Sequence, residues 1–375
     1  MTTTGPRPLL VVALLALAGA AGSCSNGAEA RRGGAPIRPS APAGHTHGPN
    51  GEAPVSPAAL VLSPREVARV RAGHHTAALV WHVSSDFEEA VTAGARDEFR
   101  PLGIRIVAQT SANFDPTRQK SDIETVEAKH PSVMLSLPVD PVTTASAYKA
   151  AARAGTKLVL LSNLPRGLRH GRDYVSVVTD DLFDMGKRAA DALAAALGDR
   201  GTIAYFFRDA DSFVSTQRDQ AFLKTLRASY PRIRIVARQG IADTNAAEEQ
   251  ADETLVRHPD LDGAYVTFSQ PPGDGVLAAL RANGDTKTQL VSLDLDELLA
   301  LDMAKGGNTF ALIADRAYDL GRAMARAAAY GLLGKPAPPF VIVPALTVTR
   351  ANLITGYRES LHRAPPASVL KALGA

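Results

Sequence analysis

From residue 77 onward the chain alternates short runs of β-branched and aliphatic residues with longer segments whose apolar positions recur every three or four residues. That alternation is what buried parallel strands and their crossover helices require. The short runs fall at 77–83, 104–109, 133–137, 157–161 and 174–178, and a second series follows at 202–207, 233–237, 263–268, 289–293 and 309–313. Helices are expected between them at 86–100, 116–130, 142–154, 181–197, 215–229, 246–258 and 318–333. Boundary residues agree with this reading: Asp115-Pro116 supplies a cap and a first-turn proline, and Gly155 supplies a stop after Ala154. Two successive series of strands predict an α/β protein of two doubly wound parallel-sheet lobes. In such lobes the strand C-termini face a crevice where ligands bind. No repeat with a period of about 20 to 50 residues points to a solenoid instead.

The pattern before residue 60 is different. A short polar start with Arg7 leads into an apolar run at 9–21 and then small residues ahead of Cys24. The run is too short to span a bilayer comfortably and describes a secretory signal. Ala21-Gly22-Ser23-Cys24 resembles the lipobox of bacterial lipoproteins, although Ala21 stands where leucine is usual. The resemblance implies a leader over 1–24, a lipid on Cys24, and an extracytoplasmic protein anchored to the bacterial cell membrane. Cys24 is the only cysteine, so no intrachain disulfide can form and stability must come from core packing. Residues 25–59 are rich in Gly, Ala, Pro and Ser with few large apolar side chains, and read as a disordered tether. His45 and His47 in this stretch, with His74 and His75 beyond it, lack the carboxylate or thiol companions of a metal site, so no metal is expected.

Composition narrows the function classes. With 41 Lys+Arg against 38 Asp+Glu and no polybasic run, there is no electrostatic case for nucleic acid. The chain carries no G-x-S-x-G elbow, Walker A loop, H-E-x-x-H zinc motif or complete G-x-G-x-x-G turn, so neither catalysis nor a cofactor is expected.

Several stretches, in order, carry a family resemblance: Val80-Trp81-His82-Val83-Ser84-Ser85-Asp86-Phe87, Pro138-Val139-Asp140-Pro141, and Ser176-Val177-Val178-Thr179-Asp180-Asp181. Gln217-Arg218-Asp219-Gln220-Ala221-Phe222, Val291-Ser292-Leu293-Asp294 and the run from Pro344 to Leu353 complete the set. Together they resemble the ribose-binding-protein branch of the type I periplasmic-binding-protein fold. The resemblance implies three crossings between lobes that form a hinge, with a first lobe of 60–179 plus 316–337 and a second of 180–315 plus 338–375. It implies a monomeric solute-binding protein that closes around a sugar or polyol and delivers it to an ABC transporter permease. A sensor that docks onto a membrane receptor would use the same closure. Regulators resembling the lactose repressor share these lobes but begin with a helix-turn-helix. Here an export signal occupies that place, and the helix near 64–71 has no recognition partner.

A sugar offers hydroxyls that donate and accept, and a C–H face that packs on an aromatic ring. By resemblance the loop after the first strand contributes His82, Ser84, Asp86 and Phe87. Phe87 is either the stacking ring or the first core residue of the following helix, and Trp81 falls inside the strand. Asn163 stands where the family usually has a hydroxyl-binding Asp, and Leu164 replaces a frequent Arg, which weakens a pentose assignment. Arg218 matches the family's ligand-binding arginine and Asp294 its hydroxyl-binding aspartate. Gln270 is the candidate from the loop 268–274, where two prolines blur the match. Asp315 takes the place of a Gln or Asn at the hinge, and Asp140 lies near the rim; either is a ligand or a hinge hydrogen-bonder. Carboxylates at Asp86, Asp294 and Asp315 would alternatively suit a cationic ligand.

Overall fold

The computed structural model describes residues 36–375 except 43 and 211, together with residues 1, 2 and 5. Cys24, most of the expected leader and residues 25–35 lie outside the described residues. Two six-stranded sheets organise the rest. The first contains β1 (Thr76–Trp81), β2 (Arg105–Ser111), β3 (Val133–Ser136), β4 (Lys157–Leu161) and β5 (Ser176–Asp180). The second contains β6 (Gly201–Arg208), β7 (Ile233–Ile241), β8 (Gly263–Val266), β9 (Gln289–Leu293) and β10 (Thr309–Ala314). Each sheet takes one further strand from the end of the chain, β11 (Phe340–Val343) in the first and β12 (Leu346–Thr349) in the second. Strand orders are β11-β5-β4-β3-β1-β2 and β12-β10-β9-β8-β6-β7, and all pairs are parallel except β10 with β12. In both sheets the order reverses beside the first strand, which places a crevice at the strand C-termini.

The central strands read as unbroken apolar runs because helices cover both faces of each sheet. Residues 77–81 of β1 and all of β3 and β5 are buried. Around the first sheet lie α1 (Pro64–Ala72), α2 (Asp86–Leu102), α3 (Pro116–Glu127) and α4 (Ala145–Ala154). Around the second lie α5 (Leu182–Leu197), α6 (Phe213–Ser229), α7 (Ala247–Arg257), α8 (Asp274–Ala282) and α9 (Glu297–Ala304). The long α10 (Ala317–Leu333) returns to the first lobe and packs along α2 and over β4 and β5. Glycine makes that contact possible. A Cβ on Gly321 would lie 1.9 Å from the Val91 carbonyl oxygen, and one on Gly94 would lie 1.9 Å from that of Tyr318, so the two helices meet backbone to backbone.

The chain crosses between sheets after Asp180, after Ala314, and at Pro344-Ala345 between β11 and β12. The first crossing follows the last residue of β5 and the second the last residue of β10. The third comes later than the expected boundary at 337, because Phe340–Val343 is a β-branched apolar run that adds to the exposed edge of β5 before the chain leaves the first lobe. The tail forms α11 (Leu353–Leu361) and α12 (Ala367–Leu373). It does not belong to the second lobe alone: α11 packs on β12 and also on α10 and α2, whereas α12 packs on α9.

The described part of the expected tether, 36–59, also differs from a free chain. Thr46, only 3% exposed, donates its hydroxyl to Asp181 and accepts from the Phe183 amide at 2.8 Å. His47 exchanges two hydrogen bonds with the Gln217 side chain, each 3.1 Å, and the Ser40 amide reaches Asp191 at 3.2 Å. Val55 then hydrogen-bonds with Phe340 and Ile342 of β11. This strap therefore touches the second lobe at one end and the first at the other. Its backbone groups, polar and short of apolar partners, find side chains and a sheet edge instead of water.

Candidate ligand-binding site

At the C-terminal ends of the strands three aspartates converge on one arginine. Asp180 ends β5, Asp315 follows β10, and Asp294 follows β9 with φ 69°, in the left-handed region that turns its side chain out of the strand line. The Asp294 amide still donates to the Ile313 carbonyl at 2.8 Å, which holds that turn in place. Arg218 comes from the second turn of α6, whose N-terminus is capped by the Ser212 hydroxyl. The close seat of α6 depends on Gly186 of α5, because a Cβ there would lie 2.0 Å from the Arg218 carbonyl oxygen.

The Arg218 guanidinium donates through Nη1 to Asp294 at 3.1 Å and through Nη2 to Asp315 at 3.2 Å, with Asp180 at 3.7 Å. Arg218, Asp180 and Asp315 are at most 6% exposed, whereas the Asp294 side chain retains 33%. Burial pushes the Asp180 carboxyl up to about 6 even though Arg218 pulls it down. Burial also pushes Asp315 well above the usual carboxylate range, and the neighbouring charges of Asp180 and Asp294 add to it. Burial works against the Arg218 charge, but the three carboxylates outweigh it and keep the guanidinium protonated. Two polar atoms in this cluster, Arg218 Nε and Asp180 Oδ1, are buried without a protein partner. A donor and an acceptor left open in one place suit a group that both accepts and donates, such as a hydroxyl.

Behind the cluster, Asp219 accepts from the Tyr265 hydroxyl at 2.7 Å, Thr267 Oγ1 at 3.2 Å and the Arg208 amide at 3.1 Å. Burial raises its carboxyl to about 6. Ser269 Oγ donates to the carbonyls of Leu293 and Asp294, at 2.7 and 2.8 Å, and so ties the loop after β8 to the Asp294 turn. Gln270 in that loop is exposed.

The other candidates are spread along the first lobe. His82 lies after β1 with Nδ1 3.0 Å from Glu88 Oε1. Ser84 is exposed, and Asp86 is turned to Arg363 beyond α11, in an ion pair that occupies its carboxylate. Phe87 is half-buried and packs against the apolar core, which favours the core reading of that ring over the stacking one. Trp81 is 1% exposed and donates Nε1 to Thr92 at 2.9 Å, a core position as expected. Asn163 Nδ2 donates to the Pro138 carbonyl at 2.9 Å and joins the loops after β3 and β4. Asp140 caps the turn that follows, accepting from the Val142 and Thr143 amides. The structure thus brings Arg218, Asp294 and Asp315 together and keeps Asp86 apart from them. Asp180 was not among the expected site residues. An acidic residue at the last position of a buried strand, next to a crossing, was the signal available. Among the described residues no group of His, Cys, Asp or Glu could hold a metal ion.

Residues 77–336 match the model of the periplasmic binding protein domain. The chain belongs to the periplasmic binding protein family. This binding protein shares the type I fold of solute-binding proteins, and the family is one of binders rather than enzymes. One similar solved structure is an ABC transporter solute-binding protein from Agrobacterium vitis bound with α-D-tagatopyranose. It is 24% identical, with a TM-score of 0.67, over 74% of this chain and 96% of that one. An arabinose-binding protein from Geobacillus stearothermophilus is 21% identical, with a TM-score of 0.67, over 76% and 99%. A solute-binding protein from Mycobacterium smegmatis with bound glycerol is 25% identical, with a TM-score of 0.65, over 75% and 96%. No curated protein matches the binding protein in sequence.

Proposed function

We propose that this chain is an extracytoplasmic solute-binding lipoprotein, anchored through Cys24, that captures a sugar or polyol between its lobes and hands it to an ABC transporter permease. It acts as a monomer whose hinge lies at the three crossings. The observation that carries this reading is the Arg218 cluster. Its buried Nε donor and Asp180 Oδ1 acceptor have no protein partner, and Asp294, paired with the same guanidinium, is one-third exposed. A hydroxyl-bearing ligand satisfies both groups, and an unpaired buried polar group costs about 1 to 3 kcal/mol. The sugars and glycerol bound by proteins of the same fold support the same ligand class.

A thermal-shift screen of the full-length chain in mild detergent against pentoses, hexoses, polyols, amino acids and polyamines tests it. A ligand at a hundred times its dissociation constant stabilises by about 2.7 kcal/mol, a visible shift in melting temperature. A sugar or polyol hit that disappears in Asp294→Ala is the expected result. The ratio of three carboxylates to one arginine favours a second reading, a cationic ligand, and stabilisation by polyamines alone would select it. Metabolic labelling with palmitate, lost in Cys24→Ser, checks the anchor.

A further inference from the structure

The strap at 36–59 lies outside the residues, 77–336, that match the family model, yet its bonds fall where the lobes join. Thr46 holds Asp181 and Phe183, just past the crossing from β5, and His47 holds Gln217, the neighbour of Arg218 on α6. Asp181 in turn donates its amide to the Val343 carbonyl at 2.9 Å, beside the third crossing. The other end is fixed in the first lobe. Val55 accepts from the Ile342 amide at 2.9 Å and donates to the Phe340 carbonyl at 3.0 Å, a parallel addition to β11. Tyr330 of α10 shares its hydroxyl proton between the carbonyls of Ala59 and Val61, at 3.2 and 2.9 Å, and Leu60 is buried.

Between the two attachments the chain folds into a turn. Gly48 donates to the Glu52 carbonyl and accepts from the Gly51 amide, each at 2.9 Å. The Glu52 carboxylate accepts from the Asn50 amide and side chain at 2.8 and 2.9 Å, and Gly51 takes φ 84°, which favours glycine. Residues 48–52 thus store slack in the strap. The strap also touches the seam between the lobes. Phe213, the first residue of α6 in the second lobe, packs against a buried cluster of the first lobe that includes Tyr148, Leu168, Tyr174 and Phe340. His47 meets the Phe213 ring edge to face, with centroids 6.4 Å apart and planes at 72°. The lobes cannot part without drawing Phe213 off that cluster. Residue 47 then moves with Phe213 while residue 55 stays with β11, so the turn must unroll or the bonds of Thr46 and His47 must break.

We propose that the strap is a brace across the hinge, which holds the lobes closed in the ligand-free protein and must yield before a bound ligand can leave. This inference rests on the hinge of the reading above, not on the identity of the ligand. Closure is then not left to the ligand alone, because each bond of the brace shifts the balance toward the closed form. Pulsed electron paramagnetic resonance measures the opening, with spin labels on Glu124→Cys of α3 and Val256→Cys of α7 in full-length Cys24→Ser protein. Both labelled positions are exposed, one in each lobe. A site-specific protease sequence inserted between Asn50 and Gly51 lets the strap be cut after folding, so the comparison is made on one folded sample. Cutting raises the open, long-distance population of the ligand-free protein by about tenfold, and Thr46→Val raises it by about fivefold, as the loss of about one net hydrogen bond does. Identical distance distributions before and after the cut would overturn the brace. If the panel sugar that stabilises the wild type still shortens the distance in that cut protein, the hinge stands without the brace. A distance that neither the cut nor the sugar moves would overturn the hinge as well.

Discussion

Replacing Arg218 by methionine removes the one cation from a pocket of three carboxylates while keeping most of the side-chain volume. Breaking a buried ion pair from one side costs about 3 to 5 kcal/mol, because a charge is left behind. Asp180 and Asp315 can escape that cost only by keeping their protons. In the native protein Asp180 is already raised from 3.8 to about 6. A carboxyl with a raised pKa binds more protons folded than unfolded, so its contribution to stability falls as pH rises from the unfolded value through the folded one. In the wild type that penalty stops growing near pH 6. Without Arg218 the carboxyl keeps its proton through pH 8, so the penalty grows over two further pH units, about 3 kcal/mol at 1.36 kcal/mol per unit. Urea denaturation of wild type and Arg218→Met, extrapolated to water at pH 5 and pH 8, measures the difference. The expected result is a loss of stability about 3 kcal/mol larger at pH 8. An equal loss at both pH values would show that the carboxylates do not depend on Arg218 for their charge, and the account of the cluster would fall.

Two further expectations follow from packing. Gly321→Val places carbon where the Val91 carbonyl oxygen already lies, so α2 and α10 must separate, at a cost of about 3 kcal/mol by urea denaturation. Thr46→Val keeps the shape of the strap but deletes its hydrogen bonds to Asp181 and Phe183, and should lower stability by about 1 to 2 kcal/mol in the same assay.

The two-lobe architecture was readable from the chain because each central strand is a short run buried on both faces, as at Val133–Ser136 or Ser176–Asp180. Helix starts were readable where a side chain does the capping, as at Asp115. Phe340–Val343 escaped because four apolar residues after a Pro-rich turn do not say which sheet edge they will join. Two lobes offer equivalent edges, and only the parallel register with β5 decides. Of the expected ligand residues, Arg218, Asp294 and Asp315, named from the motifs around them, come together in one cluster. Asp86 was misleading, since its partner Arg363 lies in the tail and no local pattern announces an ion pair so distant in sequence. The strap at 36–59 read as free chain because composition measures how much apolar surface a segment can bury. It is silent on whether polar groups elsewhere, such as Gln217 and Asp181, are waiting for it.

The two glycines through which α2 and α10 touch lie near opposite ends of the globular chain. The first lobe therefore cannot be finished until α10 and β11, among the last residues to emerge, have arrived. A chain released from its N-terminus can pair β1 to β5 early, yet α2 and one face of that sheet stay bare meanwhile. The sheet of the second lobe, apart from β12, comes from the single stretch 201–314. Closure over long sequence separation is slow and leaves apolar surface uncovered while it waits. The lobe begun first waits longest for its covering helix, and its open face is the surface a chaperone would have to shield.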